Sequence, residues 1–201
     1  MSFSAIVHEL AHGWTAFARG DRTAEAQGRL TLNPVPHFDP FGTVFLPLLC
    51  SALRLPMFGW ARPMPLDASR LSSPRDVILV AAAGPCASLG LALVLALTFK
   101  LAGSLGPLAP EFQKTLLEAL RAGITINLAL AAVNLLPVHP LDGSRVLAGL
   151  LPAPWRERYE RHIPYASYVL LGLLAARLID PFFVGPSQAA IAGLARAGLV
   201  W

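Results

Sequence analysis

The sequence predicts an all-α polytopic membrane protein with about four transmembrane helices, a re-entrant segment and a short β-like hairpin. Composition is the first reason, because 55% of the 201 residues are hydrophobic and only 14% are charged, whereas soluble domains carry roughly 25% charged residues. The second reason is that the apolar residues form long runs separated by polar, turn-rich segments. Together these features exclude an ordinary soluble domain and a disordered chain.

Four apolar runs come close to the length of about 20 residues that a transmembrane helix needs. They cover residues 1–18, 77–99, 122–141 and 163–183. A fifth run, at 40–53, is too short and contains two prolines, so we expect it to be re-entrant. The apolar tail over 181–201 is broken by Gly and Pro and is interpreted as a half-helix or an interfacial helix.

Two polar connections have the composition of turns rather than helices. Turn residues flank the alternating stretch 29–32, which predicts a short strand or hairpin. The stretch 59–65 is too rich in proline for a helix. The sequence shows no internal repeat and no separate soluble region, so we expect one membrane domain over 1–201.

The basic residues predict how the chain crosses the bilayer. If 40–53 enters and returns, the segments 19–37, 54–76 and 138–162 share one face and carry 11 of the 16 Lys and Arg residues. The positive-inside rule then places that face in the cytoplasm. The net charge of +4 is therefore interpreted as a topology signal in a lipid bilayer, with no nucleic-acid partner.

The sharpest chemical signal is formed by His8, Glu9 and His12. In a helix, imidazoles at i and i+4 lie on one face and can bind one zinc ion, and a glutamate beside the metal can act as a general base. Each ionisable residue in an apolar span costs roughly 2.5–3.5 kcal/mol to insert, and a metal offsets that cost. The competing interpretation is a pair of histidines that lines a polar seam.

A catalytic zinc site needs a third protein ligand and one open position. We expect Asp142, which follows Pro137 and Pro140, because broken backbone at membrane depth is tolerated only inside protein or beside water. Counted from the expected helix ends, Glu9 and Asp142 both lie roughly 15 Å deep. The alternative role for Asp142 is a helix cap. For His139, packing or hydrogen bonding is the first interpretation and metal binding the second.

Five segments together resemble the site-2 protease family of intramembrane zinc metalloproteases, in its compact bacterial form. They are HELAHGW (8–14), GRLTLNPVPHFDPFGT (28–43), GWARPMPL (59–66), AAAGPCASL (81–89) and NLALAAVNLLPVHPLDGSRVL (127–147). The resemblance implies one zinc ion held by His8, His12 and Asp142, with Glu9 as catalytic base and Asn134 near the scissile carbonyl. It also implies transmembrane protein substrates and a location in the bacterial cell membrane, with the active site toward the cytoplasm.

Four residues in the matched loops are candidate substrate contacts, namely Asn33, His37, Gly59 and Trp60. For Asn33, His37 and the nearby Asp39, loop ordering is the first interpretation and substrate gating the second.

Two functions compete at this point. The first is hydrolysis of peptide bonds within or near transmembrane segments, with an unwound substrate pairing with 29–32 and 59–65 by strand addition unless these are plain loops. The second is a catalytically silent scaffold or metal-binding regulator of the same fold. Glu9 favours the enzyme, because a structural site needs no acid beside the zinc. A metal transporter ranks last, since the outer half of the predicted helices lacks a second cluster of acids or histidines.

Overall fold

The computed structural model describes residues 3–53, 59–104, 109–163, 165–166, 172 and 180–200. These residues are mostly helical, and none of them lies in a β-strand. The chain divides into two compact units, Met1–Gly84 and Pro85–Trp201. That the whole of 1–201 acts as one membrane domain stays a prediction.

The first unit begins with helix α1 (Phe3–Ala18), which carries the histidine motif. Residues spaced four apart bury one face of this helix: Ser4, His8, His12 and Ala16. Gly20, with φ of 103°, ends the helix because it adopts the left-handed conformation that closes a Schellman motif. In that motif the Asp21 N–H donates to the Ala16 carbonyl at 3.0 Å.

Short elements follow before the next long helix. They are α2 (Thr23–Ala26), a 3₁₀ turn at Val35–His37, a π-helical turn at Pro40–Phe45 and α3 (Leu46–Ala52). Residues 59–67 lack regular secondary structure, as their prolines predict. After a 3₁₀ turn at Ala68–Arg70, helix α4 runs from Pro74 to Ser104.

The predicted strand over 29–32 is wrong, because residues 30–32 form bends and Arg29 has no regular secondary structure. Backbone N–H groups here donate to nearby side chains instead of to a neighbouring strand. The Asn33 N–H donates to Thr31 Oγ1 at 3.1 Å and the Val35 N–H donates to Asn33 Oδ1 at 3.0 Å. Such bonds compete with strand pairing.

The buried carboxylate of Asp21 ties the loop after α1 to the stretch 59–67. Its Oδ1 accepts from the Thr23 N–H at 2.9 Å, and its Oδ2 accepts from the Asp67 N–H at 2.7 Å. Burial acts to raise the pKa of Asp21, but hydrogen bonds from the Thr23 hydroxyl and from both N–H groups outweigh it and hold the pKa below its ordinary value. The carboxylate therefore stabilises this connection in its ionised form.

Two helices are long and apolar enough to cross a bilayer, Arg75–Ser104 and α5 (Pro110–Asn134). The predicted count of four spans is not supported. Helix α1 has only 16 residues, and the predicted run over 163–183 lies largely outside the described residues. Helix α5 begins at Pro110 rather than 122, and it ends at Asn134 rather than 141 because Pro137 and Pro140 stop it.

The second unit packs around small and branched apolar residues. Helices α6 (Asp142–Leu150), α7 (Ala153–Glu160) and α8 (Asp180–Arg196) complete its described helices. Its core consists of Ala92, Ala96, Ile124, Leu128 and Val200. Exposed leucines four residues apart follow α4 on its outer side: Leu89, Leu93, Leu97 and Leu101. This exposed apolar stripe suits contact with lipid rather than with water.

Candidate metal centre

Helix α1 brings two imidazoles together inside the first unit. His8 and His12 are 4% and 5% exposed, and their Nε2 atoms lie 3.2 Å apart. The rings meet edge to face with centroids 4.9 Å apart. As predicted from their spacing of one helical turn, the two imidazoles lie on the same face of α1, and their Nε2 atoms are close enough to share one ligand position.

The tautomer of His12 is fixed by a backbone carbonyl. Its Nδ1 lies 2.7 Å from the Val80 oxygen, which can only accept, so Nδ1 carries the hydrogen. In the neutral ring Nε2 then keeps its lone pair, which is the form that binds a metal. A carbonyl behind a ligating imidazole is the usual second partner in protein zinc sites.

The nitrogen pair has the spacing that zinc requires. Zn–N bonds of about 2.0–2.1 Å at tetrahedral angles place two ligand nitrogens about 3.3–3.4 Å apart, close to the 3.2 Å between His8 Nε2 and His12 Nε2. Gly84 supplies the space beside them. A Cβ at this position would lie 2.5 Å from His8 Nε2 and 2.6 Å from His12 Cε1, so a side chain would fill the place where the two lone pairs meet.

Glu9 is held by the backbone of the stretch 59–67. Its Oε2 accepts a hydrogen bond from the Met64 N–H at 2.6 Å. Within the described part of the chain, Oε1 makes no further hydrogen bond. One carboxylate oxygen is thus fixed while the other stays available to accept a proton.

Two predicted site residues, Asn134 and Asp142, belong to the second unit. Asp142 is the first residue of α6, and the N-cap position is Leu141, whose side chain makes no capping bond. Asn134 ends α5 and donates one amide hydrogen to the Leu130 carbonyl at 3.0 Å. Gly143 lets the intervening turn fold back on α6, since a Cβ there would meet the carbonyl oxygens of Leu135 and Leu136.

Comparison with known proteins identifies the family. The profile of peptidase family M50 matches residues 1–175. The chain belongs to peptidase family M50. The resemblance to site-2 proteases seen in the sequence is thereby confirmed, and the M50 family is one of membrane-embedded zinc metalloproteases.

Similar proteins of this family occur in distant bacteria. The chain is 38% identical over 177 residues to "Putative zinc metalloprotease YwhC" of Bacillus subtilis, covering 87% of this chain and 78% of that protein. It is 31% identical over 144 residues to "Putative zinc metalloprotease Rip2" of Mycolicibacterium smegmatis, covering 70% of this chain and 51% of that protein. The Rip2 protein of Mycobacterium tuberculosis H37Rv is 28% identical over 183 residues, with coverages of 90% and 67%. No solved structure matches the chain.

Three polar residues of the loop within the segment 28–43 fix its backbone through hydrogen bonds. Asn33 accepts from the Val35 N–H at 3.0 Å, and Asp39 Oδ1 accepts from the Gly42 N–H at 2.6 Å. His37 is fully buried and its Nε2 lies 2.8 Å from the Thr31 carbonyl. These contacts are the ones expected if the three residues order the loop. The substrate-binding role of Asn33 and His37 stays a prediction.

Gly59 and Trp60 lie where the stretch 59–67 passes the π-helical turn. A Cβ on Gly59 would lie 2.6 Å from the Gly42 carbonyl oxygen, so only glycine allows this approach. The Trp60 N–H donates to the same oxygen at 3.1 Å, and its ring, 42% exposed, lies 5.8 Å from that of Phe41. Their substrate-binding role also stays a prediction.

Sequence reasoning missed two residues at this centre. Gly84 stands in a short motif of small residues that has little meaning alone, although a Gly-Pro pair inside a helix signals close backbone approach. Arg29 was counted only as a topology charge, yet it is 3% exposed. A buried arginine in a polar loop has no distinctive sequence pattern.

Proposed function

We propose that this protein is an intramembrane zinc metalloprotease that hydrolyses peptide bonds within or near transmembrane segments of membrane proteins. The observation that carries the proposal is the arrangement on α1. Two buried Nε2 atoms lie 3.2 Å apart, and the acid between them in sequence has one oxygen fixed by the Met64 N–H. This geometry supports a hydrolytic centre over a polar seam.

In the proposed site one zinc ion is held by His8, His12 and Asp142. When bound, zinc supplies a Lewis acid that polarises the substrate carbonyl and activates water near neutral pH. Support for Asp142 comes from its place in the segment 127–147, which lies within the part of the chain that matches the M50 profile.

The protein residues move the proton. Glu9 Oε1 takes a proton from the attacking water as the oxygen–carbon bond forms, and it returns that proton to the leaving amine nitrogen as the peptide bond breaks. Asn134 has a second amide hydrogen, which can donate to the carbonyl oxygen as negative charge develops there. Held by Met64, the carboxylate stays aligned through both transfers.

The proposal places the site toward the cytoplasmic face of the bacterial cell membrane. Contacts within the first unit support a re-entrant course for 40–53, because the chain after this run bonds to the chain before it and to its beginning. The Arg62 N–H donates to the His37 carbonyl at 3.0 Å, and the Trp60 N–H donates to the Gly42 carbonyl at 3.1 Å. A segment that left on the opposite face could not make these bonds.

Strand addition along 59–65 is disfavoured by the same contacts. The N–H groups of Trp60, Arg62 and Met64 donate within the protein, and Pro63 and Pro65 have none. The loop interpretation of this stretch is therefore the better supported one.

Purified protein tests the function directly. We expect zinc-loaded protein to cleave members of a panel of single-span membrane proteins, chelation to stop cleavage, and added zinc to restore it. Binding of zinc without cleavage of any panel member would contradict the proposal and favour the alternative, a catalytically silent scaffold or metal-binding regulator.

The third ligand is tested by cobalt spectroscopy on Asp142→Cys. A thiolate bound to Co²⁺ produces a charge-transfer band in the near ultraviolet, so this variant gains the band if residue 142 coordinates the metal. Ser144→Cys, two residues along α6, is the matched control and should lack it. Equal spectra for the two variants would contradict the ligand assignment.

A further inference from the structure

A buried arginine in the first unit takes no part in the mechanism above. Arg29 is 3% exposed and forms no ion pair within the described residues. One of its terminal nitrogens donates to the Arg62 carbonyl at 2.7 Å and to the Pro63 carbonyl at 3.2 Å. Its Nε is buried without a hydrogen-bond partner. A buried, incompletely bonded charge is a poor source of stability, which points to another role for this side chain.

The carbonyls of Arg62 and Pro63 directly precede, in the sequence, the Met64 N–H that bonds Glu9. The Pro63 carbonyl and the Met64 N–H belong to one planar peptide unit, in which oxygen and hydrogen point in opposite directions. Arg29 bonds the oxygen side at 3.2 Å, and Glu9 Oε2 bonds the hydrogen side at 2.6 Å. A single peptide plane thus connects the guanidinium with the carboxylate.

Apolar packing alone does not fix the orientation of that plane. Gly13 lets the stretch lie close to α1, because a Cβ there would be 2.6 Å from Leu30 Cδ2 and 3.1 Å from Met64 Sδ. Packing sets this distance but is not directional. Since Pro63 and Pro65 lack N–H groups, the Met64 N–H is the sole backbone donor of 63–65, and the hydrogen bonds at its two ends determine where it points.

We propose that Arg29 is a positioning residue for Glu9 and acts through the peptide unit between Pro63 and Met64. This inference rests on the proposed role of Glu9 as general base. The guanidinium holds the peptide oxygen, the peptide N–H holds Glu9 Oε2, and Oε1 is thereby directed toward the water. Hydrogen bonds in such a chain polarise one another, which strengthens the bond to the carboxylate.

The charges of the two end groups also attract. Burial lowers the pKa of Arg29, the positive charge of Arg62 lowers it further, and the Glu9 carboxylate opposes both effects. Arg29 remains protonated throughout, as arginine does in proteins.

Arg29→Met tests the proposal with a side chain of similar length that cannot donate. We expect zinc content and KM to stay near wild type and kcat to fall by about 10–10²-fold, the effect of a misplacement of roughly 1 Å. Arg29→Lys keeps a donor and should recover part of the loss. Arg22→Met is the control, because Arg22 is exposed and, among the described residues, pairs with Glu25 and the Phe17 ring alone.

Hydrogen exchange gives a measurement that needs no substrate. A fragment covering residues 62–65 retains one backbone amide, that of Met64, because its first amide becomes an amine and the others belong to prolines. We expect faster exchange of this amide in Arg29→Met and in Glu9→Ala, and wild-type exchange in Arg22→Met and Glu9→Gln, since glutamine still accepts the bond.

The possible outcomes separate this inference from the proposed function. Unchanged kcat and unchanged Met64 exchange in folded Arg29→Met would overturn the inference and leave the protease intact. If Arg29→Met does not fold, wild-type exchange in Glu9→Ala would overturn it instead. Wild-type protein that cleaves nothing but shows the predicted exchange pattern would support the bonded connection and contradict the proposed function.

Discussion

The two units of this protein hold their buried residues by different means. Among the described residues, every buried ionisable side chain lies in 1–84: His8, His12, Asp21, Arg29, His37 and Asp76. The buried polar residues of 85–201 are uncharged, namely Ser88, Asn127, Ser144 and Ser187, and its core cluster is apolar.

This difference corresponds to two physical tasks. Hydrogen bonds are directional and can fix the angle of an imidazole or a carboxylate, whereas apolar burial fixes proximity without direction. The first unit carries the histidine pair and Glu9, for which angles matter. The second unit contains α5 and the larger part of α4, which pack through apolar side chains, and it has Asp142 at the start of α6.

Gly84→Ala should disturb the polar first unit most severely. The new methyl group would lie 2.5 Å from His8 Nε2, so the imidazoles must move apart, and we expect zinc content to be lost with a fall in cleavage of at least about 10²-fold. Gly90→Ala is the matched control on the same helix, because a Cβ there meets nothing within 4 Å. Normal zinc content in Gly84→Ala would show that this space is not part of the site.

Ile124→Ala tests the apolar unit. Ile124 is fully buried in the core cluster, and its truncation should lower the free energy of unfolding by about 2–4 kcal/mol. Below the unfolding temperature we expect unchanged zinc content, since the histidine pair belongs to the other unit and Asp142 lies outside the core cluster. Thermal unfolding in detergent provides the measurement. Ile126→Ala, whose side chain is 45% exposed, should have little effect, and equal losses for the two variants would contradict the assigned core.

Asp21→Asn should have a smaller, pH-dependent effect on the stability of the first unit. The pKa of Asp21 lies below its ordinary value, so the carboxylate contributes stability above about pH 4, the pKa of an unfolded Asp, and that contribution is lost as pH falls through the folded pKa. We expect the variant to be less stable by about 1 kcal/mol at pH 7.

The free energy of unfolding, measured between pH 7 and pH 3, distinguishes wild type from Asp21→Asn. The stability difference between wild type and Asp21→Asn should shrink as the solution becomes more acidic. Glu25→Gln, an exposed acid in the same unit, should show no such convergence. A difference that persists at pH 3 would mean that the ionised carboxylate is not what ties residues 21 and 67 together.

The sequence predicted what depends on helical periodicity and on long apolar runs. His8 and His12 share one face of α1 because i and i+4 always do, and the runs at 77–99 and 122–141 lie largely within α4 and α5. The bounds of α5 differ because hydropathy marks only its apolar part. Its polar beginning is helical as well, with Pro110 at a first position that suits proline.

The contacts that orient the site could not be predicted from the sequence. The Met64 N–H and the Val80 carbonyl are backbone groups, which every residue offers and no residue type identifies. The strand predicted over 29–32 failed for a related reason. Its alternating pattern suits a strand, but Arg29 turns inward to bond carbonyls 33 and 34 residues away, a long-range contact without a local signal.

Glu9→Gln is the most direct test of the central claim, that this carboxylate moves the proton in a zinc-dependent hydrolysis. Glutamine keeps the size of the side chain and an oxygen for the Met64 N–H, and it leaves the metal ligands unchanged, but it cannot accept the proton. Zinc content and cleavage of a verified single-span substrate are measured on the variant, on wild type and on Glu25→Gln. We expect wild-type zinc content with cleavage reduced by at least about 10²–10⁴-fold, and cleavage at the wild-type rate would contradict the account.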